Sequence, residues 1–323
     1  MENITINKGM IDRLRGRKYY SSIIQLMKED ERICYLTCDG LTEGSAIREM
    51  SHKYPYRVID VGIAEQNLIG ISAGLALGGM IPLVETLSSF MTLRAMDQIH
   101  ADIAINNLNV RLLGTNNGTS GGSGPTHDAI CDIAMINAIP NMNIVSVADM
   151  EFFWRALKST IDIKQPIYFR MPRYEDEMVY SPSNCNFSLG GSNTLKEGND
   201  LTIIATGKCV YNALKAAEML KAKNIDVGVI DMYSIKPLDK KCIVDHAKKS
   251  GWILTVEDHN TQGGLGTLVA SVIADAGISC QLSKLGIKDE FAQYGSREDI
   301  AHYYKIDVEG IMETILESFE KVR

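Results

Sequence analysis

Apolar runs bounded by turn residues alternate, through the first half of the chain, with segments whose apolar residues recur at helical spacing. ICYLTCD (33–39), PLVETLS (82–88), NVRLLGT (109–115), NIVSVA (143–148) and PIYFRM (166–171) read as buried strands, and 17–29, 65–79, 90–106, 127–138 and 149–161 as helices. That alternation predicts a parallel sheet covered by helices on both faces. A polar stretch rich in Ser, Asn, Gly and Pro, 172–199, then reads as a linker or meandering connection. Beyond it a second set follows: strands DLTIIATG (200–207), DVGVIDM (226–232) and WILTVED (252–258), with helices over 209–223, 238–249, 265–276 and 308–321. The expected fold is α/β, two open-sheet domains spanning 1–188 and 189–323. Ligands of such sheets collect at the carboxyl ends of the strands, which singles out the loops 39–48, 60–67, 85–94, 115–127 and 171–175.

Residues 68–84, LIGISAGLALGGMIPLV, are 17 uncharged positions with Gly70, Gly74 and Gly78 at the spacing of membrane helix pairs. The run is short for a span, Pro82 breaks it and Glu65 guards its start, so the expectation is a soluble helix whose glycine face lets another helix approach closely. Lys+Arg 33 against Asp+Glu 40 gives a net charge of −7, with the signs interspersed, which disfavours a nucleic-acid binder. The N-terminal stretch has no apolar signal core. Seven scattered cysteines without CxxC spacing read as reduced thiols of a cytoplasmic protein, and no metal cluster is expected.

Within RVIDVGIAEQNLIG, at the start of that run, Glu65 stands in strongly apolar surroundings, and a buried carboxylate is costly unless something pairs with it. Taken alone, Glu65 reads as a helix N-terminal acid favoured by the dipole. The motifs around it say more. IDVGIAEQN, TLSSFMTLRAMDQIHADIAINNLNVRLLGT, SGPTHDAICDIAMINAIPNMNIVSVAD and TVEDHNTQGGLGTLVA, in this order, resemble the transketolase family of thiamine-diphosphate enzymes from about residue 12 to the end. The likeness covers the pyrimidine-binding domain and the C-terminal domain and leaves out the diphosphate-binding domain. Cys38-Asp39-Gly40 with Asn67 mimics the family's magnesium motif in spacing, but the leading Gly is a Cys and Asn67 belongs to GIAEQN. The resemblance therefore implies the C-terminal subunit of a split transketolase, with thiamine diphosphate shared with an N-terminal subunit that holds the diphosphate and Mg²⁺, in an α2β2 assembly in which this chain also dimerises.

The same resemblance assigns roles. Glu65 would meet the aminopyrimidine ring nitrogen N1′ and drive its shift to the imino form, against an apolar wall of Val61, Ile63 and Leu68. Phe90 would stack on that ring, and Asp39 would lie near it, in a loop one residue longer than the family's. His127 in PTH would face the hydroxyls of the sugar donor. Arg173, with Arg17 and Ser45, would hold the charged end of the substrate, for which a planar guanidinium is suited. Arg94 and Arg170 read instead as structural ion pairs. TVEDHNTQGGLGTLV reads as a strand, a turn with His259 and a glycine-rich helix start; GGLG lacks the Lys and the spacing of a phosphate loop, so no nucleotide is expected there.

Two departures bear on the substrate. Ser123 in GGSGPTH replaces an Asp that contacts the donor, and Asn116 stands where a phosphate-binding His is expected. Both changes replace a charged or titratable contact by a neutral one, compatible with a branched sugar phosphate or a sulfo-sugar. The expected activity is transfer of a two-carbon ketol unit from a ketose donor to an aldose acceptor. Its competitors are a relative that decarboxylates a 2-oxo acid, either deoxyxylulose-phosphate-synthase-like or a 2-oxo acid dehydrogenase β subunit, and a non-catalytic dimerising subunit.

Overall fold

The computed structural model describes residues 8–41, 46–119, 121–171 and 176–322. Among them, β1 (Ile33–Thr37), β2 (Val58–Asp60), β3 (Ile81–Leu87), β4 (Arg111–Thr115), β5 (Asn143–Ser146) and β6 (Ile167–Arg170) form a parallel sheet in the order β5-β6-β4-β3-β1-β2. The helices of this half are α1 (Lys8–Glu29), α2 (Ala46–Lys53), α3 (Glu65–Leu77), α4 (Ser88–Arg94), α5 (Met96–Gln98), α6 (Asp132–Asn137) and α7 (Met150–Thr160). The second half places β7 (Asn193–Lys196), β8 (Leu201–Ala205), β9 (Val227–Asp231), β11 (Trp252–Asn260) and β12 (Gln281–Ile287) in the order β12-β11-β8-β9-β7, with β10 (Ser234–Lys236) lying outside that sheet. Its helices are α8 (Cys209–Lys221), α9 (Lys240–Ser250), α10 (Leu265–Asp275), α11 (Arg297–Tyr303) and α12 (Val308–Val322).

The two-sheet α/β architecture agrees with the hydrophobic pattern, and each sheet adds one antiparallel edge strand to it. β7, from the stretch read as a linker, pairs antiparallel with β9. β10 crosses from the second half to pair antiparallel with β5, completing the first sheet. The two halves also share their cores. One apolar cluster joins Phe152 and Phe169 to Ile203 and Val229, and the other joins Leu112 and Ile144 to Ile204 and Ile230. The side chains of β8 thus go to two clusters on opposite faces, which is why its apolar residues Leu201, Ile203, Ile204 and Ala205 do not alternate with exposed polar ones.

Three expectations change. The helix read over 90–106 breaks at Ala95, and after α5 a π-helical turn runs over Ile99–Ala104. The helix read over 127–138 starts only at Asp132, because the preceding backbone is spent on turns: the His127 N–H donates to Gly124, and Ala129 pairs with Gly118. The glycine face of α3 is approached at one end only: a Cβ built on Gly70 would stand 4.0 Å from Asp102 of that π-helical turn, and one built on Gly74 would find open space among the described residues. Residues 68–84 are divided between α3 and β3, and no described helix is long and apolar enough to cross a membrane. All seven cysteines are free thiols.

Candidate active site

Parallel pairing brings the carboxyl ends of β1, β2, β3, β4 and β6 to one edge of the first sheet, and the candidate residues described lie on the loops there. Asp60, the last residue of β2, organises two of those loops. Its Oδ1 accepts from the N–H groups of Asp39 (2.8 Å) and Gly62 (2.9 Å), and its Oδ2 from that of Leu41 (2.9 Å). Asp39 and Gly62 both adopt positive φ, 54° and 71°, and the shared carboxylate holds them in those turns. The Asp39 side chain is exposed.

Glu65 is the first residue of α3 and is buried, where the helix dipole favours a carboxylate. Its Oε1 accepts from Nη1 of Arg94 at 3.1 Å. Arg94 closes α4 one turn after Phe90, and that spacing lays its guanidinium carbon 3.9 Å from the centre of the Phe90 ring. The far partner of Phe90 is His127, edge-on with centroids 5.1 Å apart and planes at 61°. Nδ1 of His127 lies 2.9 Å from the Thr126 hydroxyl, which leaves Nε2 for another partner. Glu65, Arg94, Phe90 and His127 thus form one continuous row. Of the expected apolar wall, Leu68 is buried and Val61 half-buried, but Ile63 is 76% exposed.

The row is bounded by the loop after β4. Asn116 sits half-buried at φ 53°, the Asn117 amide donates to the Met171 carbonyl, and Ser123 is exposed. This loop is tied to the second half of the chain. The Thr119 N–H lies 3.2 Å from Oδ2 of Asp258, whose carboxylate also takes Nζ of Lys208 at 2.5 Å. Gly118, at φ 65°, passes so close to Asp258 that a Cβ there would stand 2.0 Å from its oxygen, so both backbone angle and space require glycine. Arg170 completes the junction: its Nε donates to Asp132 Oδ2 (2.9 Å) and its Nη2 to the carbonyls of Ala129 (3.1 Å) and Asp258 (2.6 Å). Burial raises the Asp258 carboxyl, but Lys208 and Arg170 together outweigh that and hold it below its ordinary value.

His259, expected in a turn, is instead fully buried within β11; its Nδ1 donates to the Asn260 carbonyl and its Nε2 accepts from the Ala134 N–H. Burial lowers its pKa and keeps it neutral. At GGLG, the start of α10 is already filled by the chain's own anion. Both carboxylate oxygens of Glu257 accept from the N–H groups of Leu265 (2.7 Å) and Gly266 (2.8 Å), and burial pushes this carboxyl up to about 7.

Ser45 and Arg173 lie outside the described residues, and Arg17 lies on α1 with its side chain outside them. Arg170 is an ion pair, as expected; so is Arg94, but its partner is Glu65 itself, which puts it in the site. Asp60 was missed, although an acid at the end of a strand, just before a glycine turn, signals such a loop clamp. Among the described residues no group of three or more His, Cys, Asp or Glu side chains is placed to hold a metal ion.

Residues 17–176 match the family model for the transketolase pyrimidine-binding domain, and residues 190–311 that for the transketolase C-terminal domain. A putative transketolase C-terminal section of Methanocaldococcus jannaschii is 37% identical over 98% of both chains. One subunit of the apulose-4-phosphate transketolase of Phocaeicola vulgatus is 36% identical, covering 94% of this chain and 97% of that one. The 1-deoxy-D-xylulose-5-phosphate synthase of Syntrophotalea carbinolica is 32% identical over 91% of this chain, which spans 46% of that longer protein. A solved structure, a split-gene transketolase described as an inactive β4 tetramer, superposes with a TM-score of 0.85 at 32% identity, covering 94% of this chain and 97% of that one.

Proposed function

The chain belongs to the transketolase family, and we propose that it works as the C-terminal subunit of a two-component enzyme that moves a two-carbon ketol unit from a ketose to an aldose. The observation that carries this reading is the row Glu65, Arg94, Phe90, His127 at the carboxyl edge of the first sheet. A buried carboxylate beside an aromatic face fits an aminopyrimidine, which needs a hydrogen-bond partner at its edge and a flat support. Thiamine diphosphate, which the family implies, supplies when bound the electron sink that ketol transfer requires. Magnesium and the diphosphate would be held by the N-terminal subunit, in an α2β2 assembly in the cytoplasm.

In that arrangement Glu65 holds a proton at the ring nitrogen N1′, and Phe90 fixes the plane of the ring. His127, oriented through Thr126, offers Nε2 to the hydroxyls of the donor and moves a proton there as the carbon–carbon bond breaks. Asp39 stands beside the ring. Arg173, Arg17 and Ser45 bind the anionic end of the substrate, with Asn116 and Ser123 as neutral contacts. Neutral residues at 116 and 123 favour a sugar phosphate other than an ordinary pentose phosphate, and the relative named for apulose 4-phosphate supports a branched sugar as the class to try first. The boundary between the domains is placed at residues 188 and 189.

The test is reconstitution. Mixed with the subunit that carries the diphosphate-binding domain, thiamine diphosphate and Mg²⁺, this chain should transfer ketol units where neither chain does alone. Glu65→Gln should cut the rate about a thousandfold. Undiminished transfer by that variant would overturn the mechanism, and release of CO₂ from pyruvate without ketol transfer would favour the synthase-like reading.

A further inference from the structure

The guanidinium of Arg94 touches the two groups that the proposed function reserves for the cofactor ring. It donates to Glu65 Oε1 at 3.1 Å and lies at stacking distance from the Phe90 ring, 3.9 Å from its centre. A guanidinium is planar, delocalised and rich in edge N–H donors, so it meets a carboxylate at its edge and an aromatic ring on its face as an aminopyrimidine does. The other member of the ion pair is fixed: the Glu65 side chain is 7% exposed, while that of Arg94 is 49% exposed at the end of α4. Arg94 is thus free to swing into solvent while the carboxylate and the ring stay in place.

We propose that Arg94 is a latch for the aminopyrimidine slot, filling the space between Glu65 and Phe90 until the ring of thiamine diphosphate displaces it. This rests on the proposed function and adds a residue to it. The latch answers the question of how a buried carboxylate survives in the chain without cofactor, since an unpaired Glu65 would carry an uncompensated charge. It also lowers affinity. A ligand that binds only the open slot has its dissociation constant raised by the inverse of the open fraction.

The experiment is a calorimetric titration of thiamine diphosphate with Mg²⁺ into the two-chain complex. Arg94→Met removes both the ion pair and the charged stack, and should tighten cofactor binding about tenfold. Arg94→Lys keeps a charge without the planar fork and should fall between Arg94→Met and the unaltered protein. Arg94→Gln, which preserves polarity, serves if the Met variant does not assemble and should also bind more tightly than the unaltered protein. Unchanged or weaker binding in the substituted complexes overturns the latch, because a residue that positions Glu65 for the ring would give that sign. The two readings fail separately: the latch is judged by cofactor affinity in Arg94 variants, the proposed function by turnover in Glu65→Gln. If neither the unaltered complex nor the variants bind thiamine diphosphate, the latch falls together with the reading beneath it.

Discussion

Arg94 and Arg170 each pair with a carboxylate that opens a helix, Glu65 on α3 and Asp132 on α6, at nearly the same distance, 3.1 and 2.9 Å. The surroundings separate them. Arg170 and Asp132 are at most 1% exposed, and the arginine also donates to the carbonyls of Ala129 and Asp258 while the Tyr168 hydroxyl donates to Asp132 at 2.7 Å. Arg94 is half in solvent and its second partner is an aromatic face. A buried charge with its donors used is committed to the fold, here welding β6, α6 and β11 beneath the loop that carries His127. A charge with an exposed flank and a replaceable partner is available to a ligand. The geometry of a single ion pair therefore says little about its role, and burial with the remaining partners says most.

The largest effect should come from breaking the weld. Arg170→Met leaves Asp132 buried without a cation and removes two carbonyl contacts, which should cost about 4 kcal/mol of folding stability. Urea-unfolding midpoints of the two chains measure it. A loss below about 1 kcal/mol would mean that Arg170 is as replaceable as an exposed arginine, and the contrast would fail.

A third carboxylate sharpens the comparison because, among the described residues, no cation contacts it. Asp231, fully buried on β9, accepts from the Tyr180 hydroxyl at 2.7 Å, and Asp149 lies close enough to add repulsion. Burial, chiefly, pushes its carboxyl up to about 8. The folded chain then holds this proton more tightly than the unfolded chain does. That contribution is whole below the ordinary carboxylate value of about 4 and is lost as pH rises towards 8. Asp258, held below its ordinary value by Lys208 and Arg170, behaves oppositely: its contribution is present at neutral pH and is lost as pH falls. Asp231→Asn has no proton to lose, so its stability relative to the unaltered chain should rise by roughly 3 kcal/mol between pH 5 and pH 8. Parallel unfolding curves at the two pH values, with a constant difference between the chains, would show that Asp231 does not titrate in this range.

The central strands and the loops that end them were legible because a parallel strand buried on both faces leaves an unbroken apolar run, as in ICYLT and LTIIA. β10 and β12 were not. SIK pairs with a strand of the other domain's sheet, and QLSKLGI is an edge strand with much of its length at the surface, so neither carries the local signal of a buried strand. β7 was hidden in a polar stretch whose course depends on distant acids: Asp149 accepts from the N–H groups of Val179 and Tyr180. In the site, GIAEQN and PTH marked Glu65 and His127 as candidates, since each sits in a short local pattern. The partnership of Arg94 with Glu65 was not visible, because it depends on how α3 and α4 face each other rather than on either segment. His259 was misread for a related reason. TVEDHN looks like a strand running into a turn, but the strand continues through His259 because both ring nitrogens find partners inside, one of them on α6.

The smallest expected effect is the one on which the contrast depends most. Arg94→Met deletes an exposed-flank ion pair and a stack on Phe90, which together should cost the empty chain about 1 kcal/mol, a quarter of the loss expected for Arg170→Met. Under the latch that loss has a distinctive sequel. Bound thiamine diphosphate replaces the same two contacts, so in the assembled complex with saturating cofactor the stability gap between Arg94→Met and the unaltered protein should close. Thermal unfolding with and without cofactor reads both values in one experiment. A loss as large as that of Arg170→Met, and unaltered by cofactor, would make the Glu65–Arg94 pair a second weld, and the carboxyl edge of the first sheet would then hold no slot waiting for a ring.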